Sequence, residues 1–242
     1  MDKIRIGHRV QHPRPAFQDR AEAGEALAAF VDPPPTGEEA FVLALPRGGI
    51  PVAAALARHL AAPLAPVFVR KLPLPQAPEM GFGAVALDGS VLLNDRVVQE
   101  FGLDPATIDA VAEEVREEVR RRARVYQESD QPPVVAGQHV FVVDDGLATG
   151  YTAAATAAML RHLAPRSLRL AVPVTPDRTL ATVEPHFDRI ECLLVQRGGS
   201  FAVASFYQDF HDLSDEEVRS QLDDADARKQ PDGSGRPPGP TP

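Results

Sequence analysis

The 242-residue sequence predicts an α/β fold in which a doubly wound, mainly parallel central sheet is flanked by helices. Short continuous apolar runs, typical of strands covered on both faces, alternate with stretches whose apolar residues recur at helical spacing. The composition, with 44% hydrophobic and 24% charged residues, is that of an ordinary globular chain. Its 24 prolines form no long tract and accompany no glycine period, which argues against a collagen-like or wholly disordered protein.

The elements of the first half follow from residue spacing and from helix-breaking residues. Residues 17–31 predict a helix that ends before a run of prolines, and residues 41–45 predict a strand followed by a glycine loop and a helix over 50–60. A second strand is predicted over 64–70. Three prolines and two glycines follow it, so residues 71–83 are predicted to form a long loop without regular structure.

The second half of the chain alternates strands with helices. It predicts a hairpin at 84–87 and 91–93, a long amphipathic helix at 105–127, a strand, loop and helix within 139–163, strands at 167–174 and 189–195, and a short helix near 179–183. Residues 1–225 are expected to form one domain. The last segment, 226–242, has almost no apolar content and is predicted to be a disordered tail.

The charge distribution and the short apolar runs argue against nucleic-acid and membrane partners. The chain has 25 basic and 34 acidic residues and 6% aromatics, so no basic face for a phosphate backbone is expected. No apolar run approaches the roughly 18 residues of a membrane helix, and the amino-terminal residues lack the apolar core of an export signal. The single cysteine, Cys192, cannot form an internal disulfide. A cytoplasmic protein is predicted.

Two adjacent acids, Asp144 and Asp145, directly follow the apolar strand at 140–143. Ligands of open α/β sheets bind at the carboxyl ends of the strands, where these acids are expected to lie. Paired carboxylates repel each other and lose hydration there unless they bind a cation or accept hydrogen bonds from a ligand. A vicinal diol offers two hydrogen-bond donors at a matching spacing.

Small and hydroxyl-bearing residues follow these acids, just before a helix: Gly146, Thr149, Gly150 and Thr152. Backbone amides and threonine hydroxyls in such a loop can close on a phosphate at the positive end of the helix. Diol acceptors followed by a phosphate loop describe a pocket for a ribose 5-phosphate. The alternative is a structural Asp-Gly turn with a threonine helix cap, which leaves the doubled acids unexplained.

The segment VFVVDDGLATGYT, residues 140–152, resembles the phosphoribosyl pyrophosphate (PRPP) signature of type I phosphoribosyltransferases. The segment LPRGG, residues 45–49, resembles the pyrophosphate loop of the same family. Further segments of the sequence resemble a bacterial branch of that family. Together they extend the resemblance over residues 17–222. The resemblance implies a central parallel sheet, a mobile lid loop over residues 71–83 and a small hood built from the chain ends.

The same resemblance implies a role for each matching residue. Asp144 and Asp145 would hold the ribose hydroxyls and, with Lys71, form the catalytic group. The 5-phosphate would be bound by Ala148, Thr149, Gly150, Tyr151 and Thr152. Pyrophosphate would be bound by Arg47, Gly48, Gly49, Arg70 and Lys71. Mg²⁺ would be held mainly by substrate oxygens, with Asp144 and Asp145 as the candidate protein ligands.

The implied reaction transfers the 5-phosphoribosyl group of PRPP to a nitrogenous acceptor, with a nucleobase as the first candidate, and releases pyrophosphate. Tyr207 and Phe210 could stack on a base, although aromatics beside a strand more often belong to a core. Glu79 could act as a base in the lid or be a solvated carboxylate. Ala148 stands where the hypoxanthine and guanine enzymes carry an acid, which weakens the case for a 6-oxopurine acceptor.

Two other functions could use the same pocket. A PRPP-binding regulator would keep the ligand loops without transferase activity, although a repressor would normally carry a DNA-binding module, and none is evident in the sequence. A phosphatase or hydrolase would admit water to a phosphorylated sugar. The lid-like segment favours the transferase, because transfer requires that water be excluded. The resemblance also implies a homodimer.

Overall fold

The computed structural model of the chain describes residues 3–87, 89–126 and 134–227, apart from the side chains of residues 78, 79, 122, 226 and 227. The strands are β1 (Ile4–Val10), β2 (Ala40–Ala44), β3 (Leu64–Pro66), β4 (Val69–Leu74), β5 (Ala77–Ala86), β6 (Val91–Leu93), β7 (His139–Val143), β8 (Ser167–Pro176) and β9 (Arg189–Gln196). The α-helices are α1 (Arg20–Phe30), α2 (Gly49–Leu60), α3 (Asp95–Glu100), α4 (Pro105–Ala123), α5 (Tyr151–Arg161), α6 (Asp177–Val183) and α7 (Asp215–Ala227).

The main sheet has six strands in the order β1-β9-β8-β7-β2-β3, and every neighbouring pair is parallel. Parallel neighbours that follow one another in the chain need a crossover connection. Helix α2 supplies it between β2 and β3, α5 between β7 and β8, and α6 between β8 and β9. The mainly parallel central sheet predicted from the sequence is confirmed.

Apolar residues cover both faces of this sheet. On one face, Leu27 of α1, Ile50 of α2 and Val218 of α7 pack in a cluster with β2 and β7. On the other face, Ala153 and Leu160 of α5 pack in a second cluster with β7, β8 and β9. Because both faces are covered, the central strands have the continuous apolar runs from which they were predicted.

The loop predicted for residues 71–83 is wrong, because the chain forms a β-hairpin there. Strand β4 pairs antiparallel with β5, and β5 with β6, in a separate three-stranded sheet. The side chains of Leu72, Leu74 and Phe82 are buried in a cluster with α4. The prolines are tolerated because Pro73 lies at an irregularity of the strand pairing and Pro75 lies in the turn.

Among the strands and α-helices, three were not predicted from the sequence, and two short 3-10 helices at Glu184–His186 and Val203–Phe206 were not predicted either. Strand β1 lies at the edge of the main sheet and mixes charged with apolar residues, α3 has six residues of which none is buried, and α7 begins in an acidic segment. The predicted strand at 64–70 is interrupted, since β3 ends at Pro66 and β4 begins at Val69. Helix α7 runs to Ala227, two residues into the predicted tail, and residues 228–242 lie outside the described residues.

The segment after β9 pairs with the residues that precede α1. Phe17 and Tyr207 form a parallel bridge, and the amides of Ala16 and Phe17 donate to the backbone oxygen of Phe206. These segments pack in a cluster with Val174 near the carboxyl end of β8. The sequence predicted a small hood built from the chain ends, whereas the amino-terminal strand β1 extends the main sheet instead.

Candidate active site

The two adjacent acids lie directly after β7, at the carboxyl end of the central sheet. They are not equivalent, because Asp145 is buried, with 9% of its surface exposed, whereas Asp144 is half-buried. The Asp145 amide donates to Asp144 Oδ1 at 2.9 Å, so the backbone of one acid orients the carboxylate of the other. By surface area, Asp144 exposes a larger fraction of itself than Asp145 does.

Arg20 and Tyr207 hold Asp145 in place. Arg20 Nε donates to Asp145 Oδ2 at 2.7 Å, and Arg20 is itself only 8% exposed. Tyr207 donates its hydroxyl hydrogen to the backbone oxygen of Asp145 at 2.6 Å. Arg20 was not predicted as a site residue from the sequence, since it lies 125 positions from Asp145. The helix dipole disfavours a positive charge at the amino end of a helix. This unusual position was the sequence signal that could have pointed to Arg20.

Burial changes the protonation of both carboxylates. It raises the pKa of Asp144 well above its usual value, and the neighbouring Asp145 charge raises that pKa further. Burial also raises the pKa of Asp145, while the hydrogen bond and charge of Arg20 oppose this rise. A bound cation, or hydrogen-bond donors from a ligand, would therefore be favourable beside Asp144.

The loop between β7 and α5 is anchored to neighbouring elements. The Leu147 amide donates to the backbone oxygen of Val174 at 3.0 Å. The Thr179 hydroxyl donates to the backbone oxygen of Ala148 at 2.7 Å. Strand β8 and helix α6 therefore fix the loop that the sequence analysis assigned to the 5-phosphate.

This loop leads into a helix N-terminus that no side chain caps. Gly150 precedes α5 with a φ of 78°, and a Cβ there would lie 2.7 Å from Val183 Cγ1, so the position requires glycine. The amides of Tyr151 and Thr152 begin the helix, where no side-chain cap is present. Such amides are available to an anion.

A second loop, from Pro46 to Gly49, packs onto the acids from the end of β2. The Pro46-Arg47 peptide bond is cis. A Cβ on Gly48 would collide with the Asp145 carboxylate, and one on Gly49 would approach the backbone of β7 to 2.6 Å. Helix α2 begins at Gly49, again with no side-chain cap. The uncapped N-terminus of α2 therefore lies close to the paired acids, and that of α5 follows them in the same loop.

A cavity of about 830 Å³ gathers most of the predicted phosphate-binding side chains. From the predicted set it is lined by Arg47, Arg70, Lys71, Thr149, Tyr151 and Thr152. Much of the remaining wall is apolar or aromatic and includes Phe68, Met80, Val119 and Tyr126. The predicted residues that do not line the cavity are Gly48, Gly49, Asp144, Asp145, Ala148, Gly150, Tyr207 and Phe210.

The charged residues of the cavity wall contact one another across several elements. Arg47 Nη1 donates to the backbone oxygen of Leu213 at 2.8 Å and lies 3.5 Å from Asp215 Oδ1. Tyr126 donates its hydroxyl hydrogen to the same Asp215 oxygen. Asp215 was missed by the sequence analysis because it lies in an acidic segment that was interpreted only through its net charge. The start of α7 and Leu213 just before it therefore hold the guanidinium of Arg47.

A cation of the small sheet is likewise held by a helix. Arg70 and Lys71 lie on β4, and Arg70 forms an ion pair with Glu118 of α4. The rings of Phe68 and Tyr126 stack nearly parallel, with centroids 6.1 Å apart and an interplanar angle of 3°. These contacts hold the small sheet against α4 beside the cavity.

Tyr207 and Phe210 were predicted to stack on a base, and neither of them lines the cavity. Tyr207 is 4% exposed, and its ring centroid lies 5.6 Å from that of Phe17. Phe210 packs against Tyr207, and the Arg20 guanidinium lies 3.8 Å from the centroid of its ring. Tyr207 therefore holds the backbone of Asp145 directly, and Phe210 packs against Arg20, the ion-pair partner of Asp145. The side chain of Glu79 lies outside the described residues.

Comparison with known proteins gives the family of this chain. A family model described as a phosphoribosyl transferase domain matches residues 86–211, which include both acids and the loop between β7 and α5. The chain belongs to the type I phosphoribosyltransferase family. The match spans about half of the chain and begins at the last residue of β5, so it does not include the loop from Pro46 to Gly49 or most of the β4–β5 hairpin.

Two phosphoribosyltransferase relatives come from Mycobacterium tuberculosis. They are named "Putative phosphoribosyl transferase MT0597" (strain CDC 1551 / Oshkosh) and "Putative phosphoribosyl transferase Rv0571c" (strain ATCC 25618 / H37Rv). Each is 40% identical over 209 residues, which cover 86% of this chain and 47% of the relative. The chain therefore spans about half the length of the curated relatives it matches.

A solved structure resembles this phosphoribosyltransferase chain more fully. The crystal structure of TT1426 from Thermus thermophilus is 33% identical, with a TM-score of 0.75. The similarity covers 85% of this chain and 97% of that one. Within the described ranges, no helix is both long and apolar enough to cross a membrane.

Proposed function

We propose that the chain transfers the 5-phosphoribosyl group of PRPP to a nitrogenous acceptor and releases pyrophosphate. The observation that carries this proposal is the shared cavity, whose wall includes the cations Arg47, Arg70 and Lys71 together with the hydroxyls of Thr149 and Thr152. Its volume of about 830 Å³ is large enough for a phosphorylated sugar together with a small acceptor. The family supports a transferase, and the substrates are part of this proposal.

Each end of PRPP would meet a helix N-terminus. The 5-phosphate would accept hydrogen bonds from the first amides of α5 and from the hydroxyls of Thr149 and Thr152. The pyrophosphate would lie near the start of α2, where Arg47 offers a planar guanidinium and Lys71 a point charge. Asp144 does not itself line the cavity, but it lies in the loop that leads to Thr149, and from there it would accept hydrogen bonds from the ribose hydroxyls.

The residues present fit a Mg²⁺ ion that keeps water and substrate oxygens as most of its ligands. Asp144 offers a half-buried carboxylate whose pKa is raised by burial and by Asp145, so a nearby divalent cation would relieve that electrostatic strain. Among the residues that the structure describes, no three His, Cys, Asp or Glu side chains form a metal-binding group. When bound, Mg²⁺ would neutralise charge on the pyrophosphate.

The transfer breaks the bond between C1 of the ribose and a pyrophosphate oxygen and forms one from C1 to the acceptor nitrogen. Negative charge grows on the leaving pyrophosphate, and Arg47, Arg70 and Lys71 would stabilise it there. The hairpin of β4 and β5, with its apolar wall, would keep water away from C1. A flat nitrogen heterocycle suits the wall formed by Phe68, Met80 and Tyr126.

Pyrophosphate release tests the proposal. The full chain is mixed with PRPP and Mg²⁺ and with each member of a panel of nucleobases and amines, and released pyrophosphate is measured. We expect release with at least one acceptor, and a loss of about tenfold or more in Arg47→Ala. Arg178→Ala, which removes an exposed arginine of α6, is the matched control and should behave like the wild type.

The other outcomes separate the rival functions. PRPP binding without pyrophosphate release for any acceptor would overturn the transferase and favour a PRPP-binding regulator. Release of inorganic phosphate or pyrophosphate at the same rate with and without acceptors would favour a hydrolase.

A further inference from the structure

Arg20 occupies a position that is unfavourable for a cation. It is the first residue of α1 and is 8% exposed. A helix N-terminus carries partial positive charge, and removing a guanidinium from water costs free energy unless it is paired and hydrogen-bonded. The helix itself is capped by Asp19, so Arg20 is not needed to begin it.

The partners of Arg20 come from two other segments of the chain. Arg20 Nε donates to Asp145 Oδ2 at 2.7 Å, and Arg20 Nη1 donates to the backbone oxygen of His211 at 2.9 Å. Its guanidinium also lies over the ring of Phe210. A planar, multidentate cation can make these contacts together, which a lysine ammonium cannot.

The contacts of Arg20 with Asp145 also affect Asp144, the acid of the site with the larger exposed fraction. Asp145 lies beneath Gly48, where a side chain would collide with its carboxylate. Tyr207 holds the backbone oxygen of Asp145 at 2.6 Å, and the Asp145 amide in turn donates to Asp144 Oδ1 at 2.9 Å. Fixing Asp145 therefore fixes the orientation of Asp144.

We propose that Arg20 is a positioning residue for ribose recognition. It holds the buried Asp145 carboxylate against the pyrophosphate loop and so presents Asp144 to the ribose hydroxyls. The two acids then have different roles: Asp145 transmits the position that Arg20 sets, and Asp144 meets the substrate. This inference rests on the proposed function, because it assumes that the site binds PRPP.

Arg169 of β8 serves as a control for Arg20, because its ion pair lies near the other end of α1. Arg169 forms a second buried ion pair, with Glu191, and Glu191 accepts a hydrogen bond from the amide of Asp32, just beyond α1. Arg20 and Arg169 are therefore both buried arginines with a carboxylate partner. They lie at opposite ends of α1, which spans about 16 Å at 1.5 Å per residue.

Calorimetric titration of PRPP with Mg²⁺ tests the proposal in six forms of the full chain: the wild type, Arg20→Gln, Arg20→Lys, Asp145→Asn, the Arg20→Gln/Asp145→Asn double variant and Arg169→Gln. We expect Arg20→Gln to weaken PRPP binding about tenfold or more, and Arg20→Lys to recover only part of this loss. The double variant should bind PRPP no more weakly than Asp145→Asn alone, because Arg20 acts through Asp145. The double variant has no buried carboxylate at position 145 that lacks its cation. It can therefore be compared with Asp145→Asn if Arg20→Gln alone fails to fold.

A purely structural role predicts a different pattern. In that case, Arg169→Gln and Arg20→Gln would weaken PRPP binding equally when they lower the thermal stability equally. The proposal instead predicts that Arg169→Gln changes the affinity for PRPP by no more than about twofold. Losses that multiply in the double variant, or wild-type affinity in Arg20→Gln, would overturn the inference while leaving the proposed function intact. Absence of PRPP binding to the wild type would overturn the proposed function and this inference with it.

Discussion

Asp144 lies beside a second carboxylate in a half-buried position, which raises its pKa well above the usual value. Between its usual and its raised pKa, the folded chain holds a proton that the unfolded chain releases, so stability falls as the pH rises through that interval. We expect Asp144→Asn to increase the free energy of unfolding by about 1 kcal/mol near pH 7 and to leave it nearly unchanged near pH 3.

Thermal unfolding measured across this pH range checks the prediction for Asp144. Asp224→Asn, on the exposed part of α7, controls for the loss of one negative charge. If Asp144→Asn were less stable than the wild type near neutral pH, repulsion at the paired acids could not be the dominant effect.

Asp215 is a half-exposed counter-charge for Arg47, 3.5 Å from its guanidinium. An anionic ligand must compete with this carboxylate for the same cation. We expect Asp215→Asn to tighten the binding of inorganic pyrophosphate about twofold to fivefold at low salt, the range of an exposed ion pair. Glu216→Gln removes the same charge from the next position of α7 and should have a smaller effect. Weaker pyrophosphate binding in Asp215→Asn would show that Asp215 supports Arg47 instead of competing for it.

At the level of an element, the loop before α5 depends on a backbone conformation that favours glycine. Gly150 has a φ of 78°, and a Cβ would lie 2.7 Å from Val183 Cγ1. We expect Gly150→Ala to destabilise the fold by about 2 kcal/mol or more and to weaken PRPP binding. Gly37→Ala isolates the backbone effect, because Gly37 has a φ of 85° with nothing within 4 Å of its Cβ position. Chemical unfolding should show a clearly larger loss for Gly150→Ala, and equal losses would refute the steric argument.

The lid hairpin is held by its own apolar cluster with α4. Phe82 is fully buried there, whereas Met80 of the same strand is largely exposed in the cavity wall. We expect Phe82→Ala to destabilise the fold by about 3–5 kcal/mol and Met80→Ala by less than about 1 kcal/mol. Hydrogen exchange in β4 and β5 should accelerate in the first variant only. Unchanged protection in Phe82→Ala would mean that this cluster does not hold the lid.

The sequence predicted elements well where one physical signal dominated. Continuous apolar runs identified β2, β7, β8 and β9 because both faces of the sheet are covered. The hairpin at 71–83 was mispredicted because its prolines, which normally interrupt strands, lie at an irregular pairing and in a turn. Strand β1 was missed because an edge strand with mixed polarity carries no such run.

Across the whole molecule, the site was predictable where its residues are contiguous. The loops at 45–49 and 140–152 each carry a local pattern, and the fold brings them together at the carboxyl end of the sheet. Arg20 and Asp215 reach the same region from distant segments, and only the tertiary structure reveals their contacts. Tyr207 was predicted to stack on a base, whereas its hydroxyl donates to the backbone oxygen of Asp145. Aromatic character alone does not distinguish these two roles.

The central claim for the molecule is that this site binds PRPP through the paired acids and the two helix N-termini. Calorimetric titration of PRPP with Mg²⁺ into the wild type and into Asp144→Asn tests it most directly. The account predicts saturable binding to the wild type, displacement by inorganic pyrophosphate, and a loss of affinity of about tenfold or more in Asp144→Asn at undiminished stability. No PRPP binding to the wild type at millimolar concentration would contradict the account.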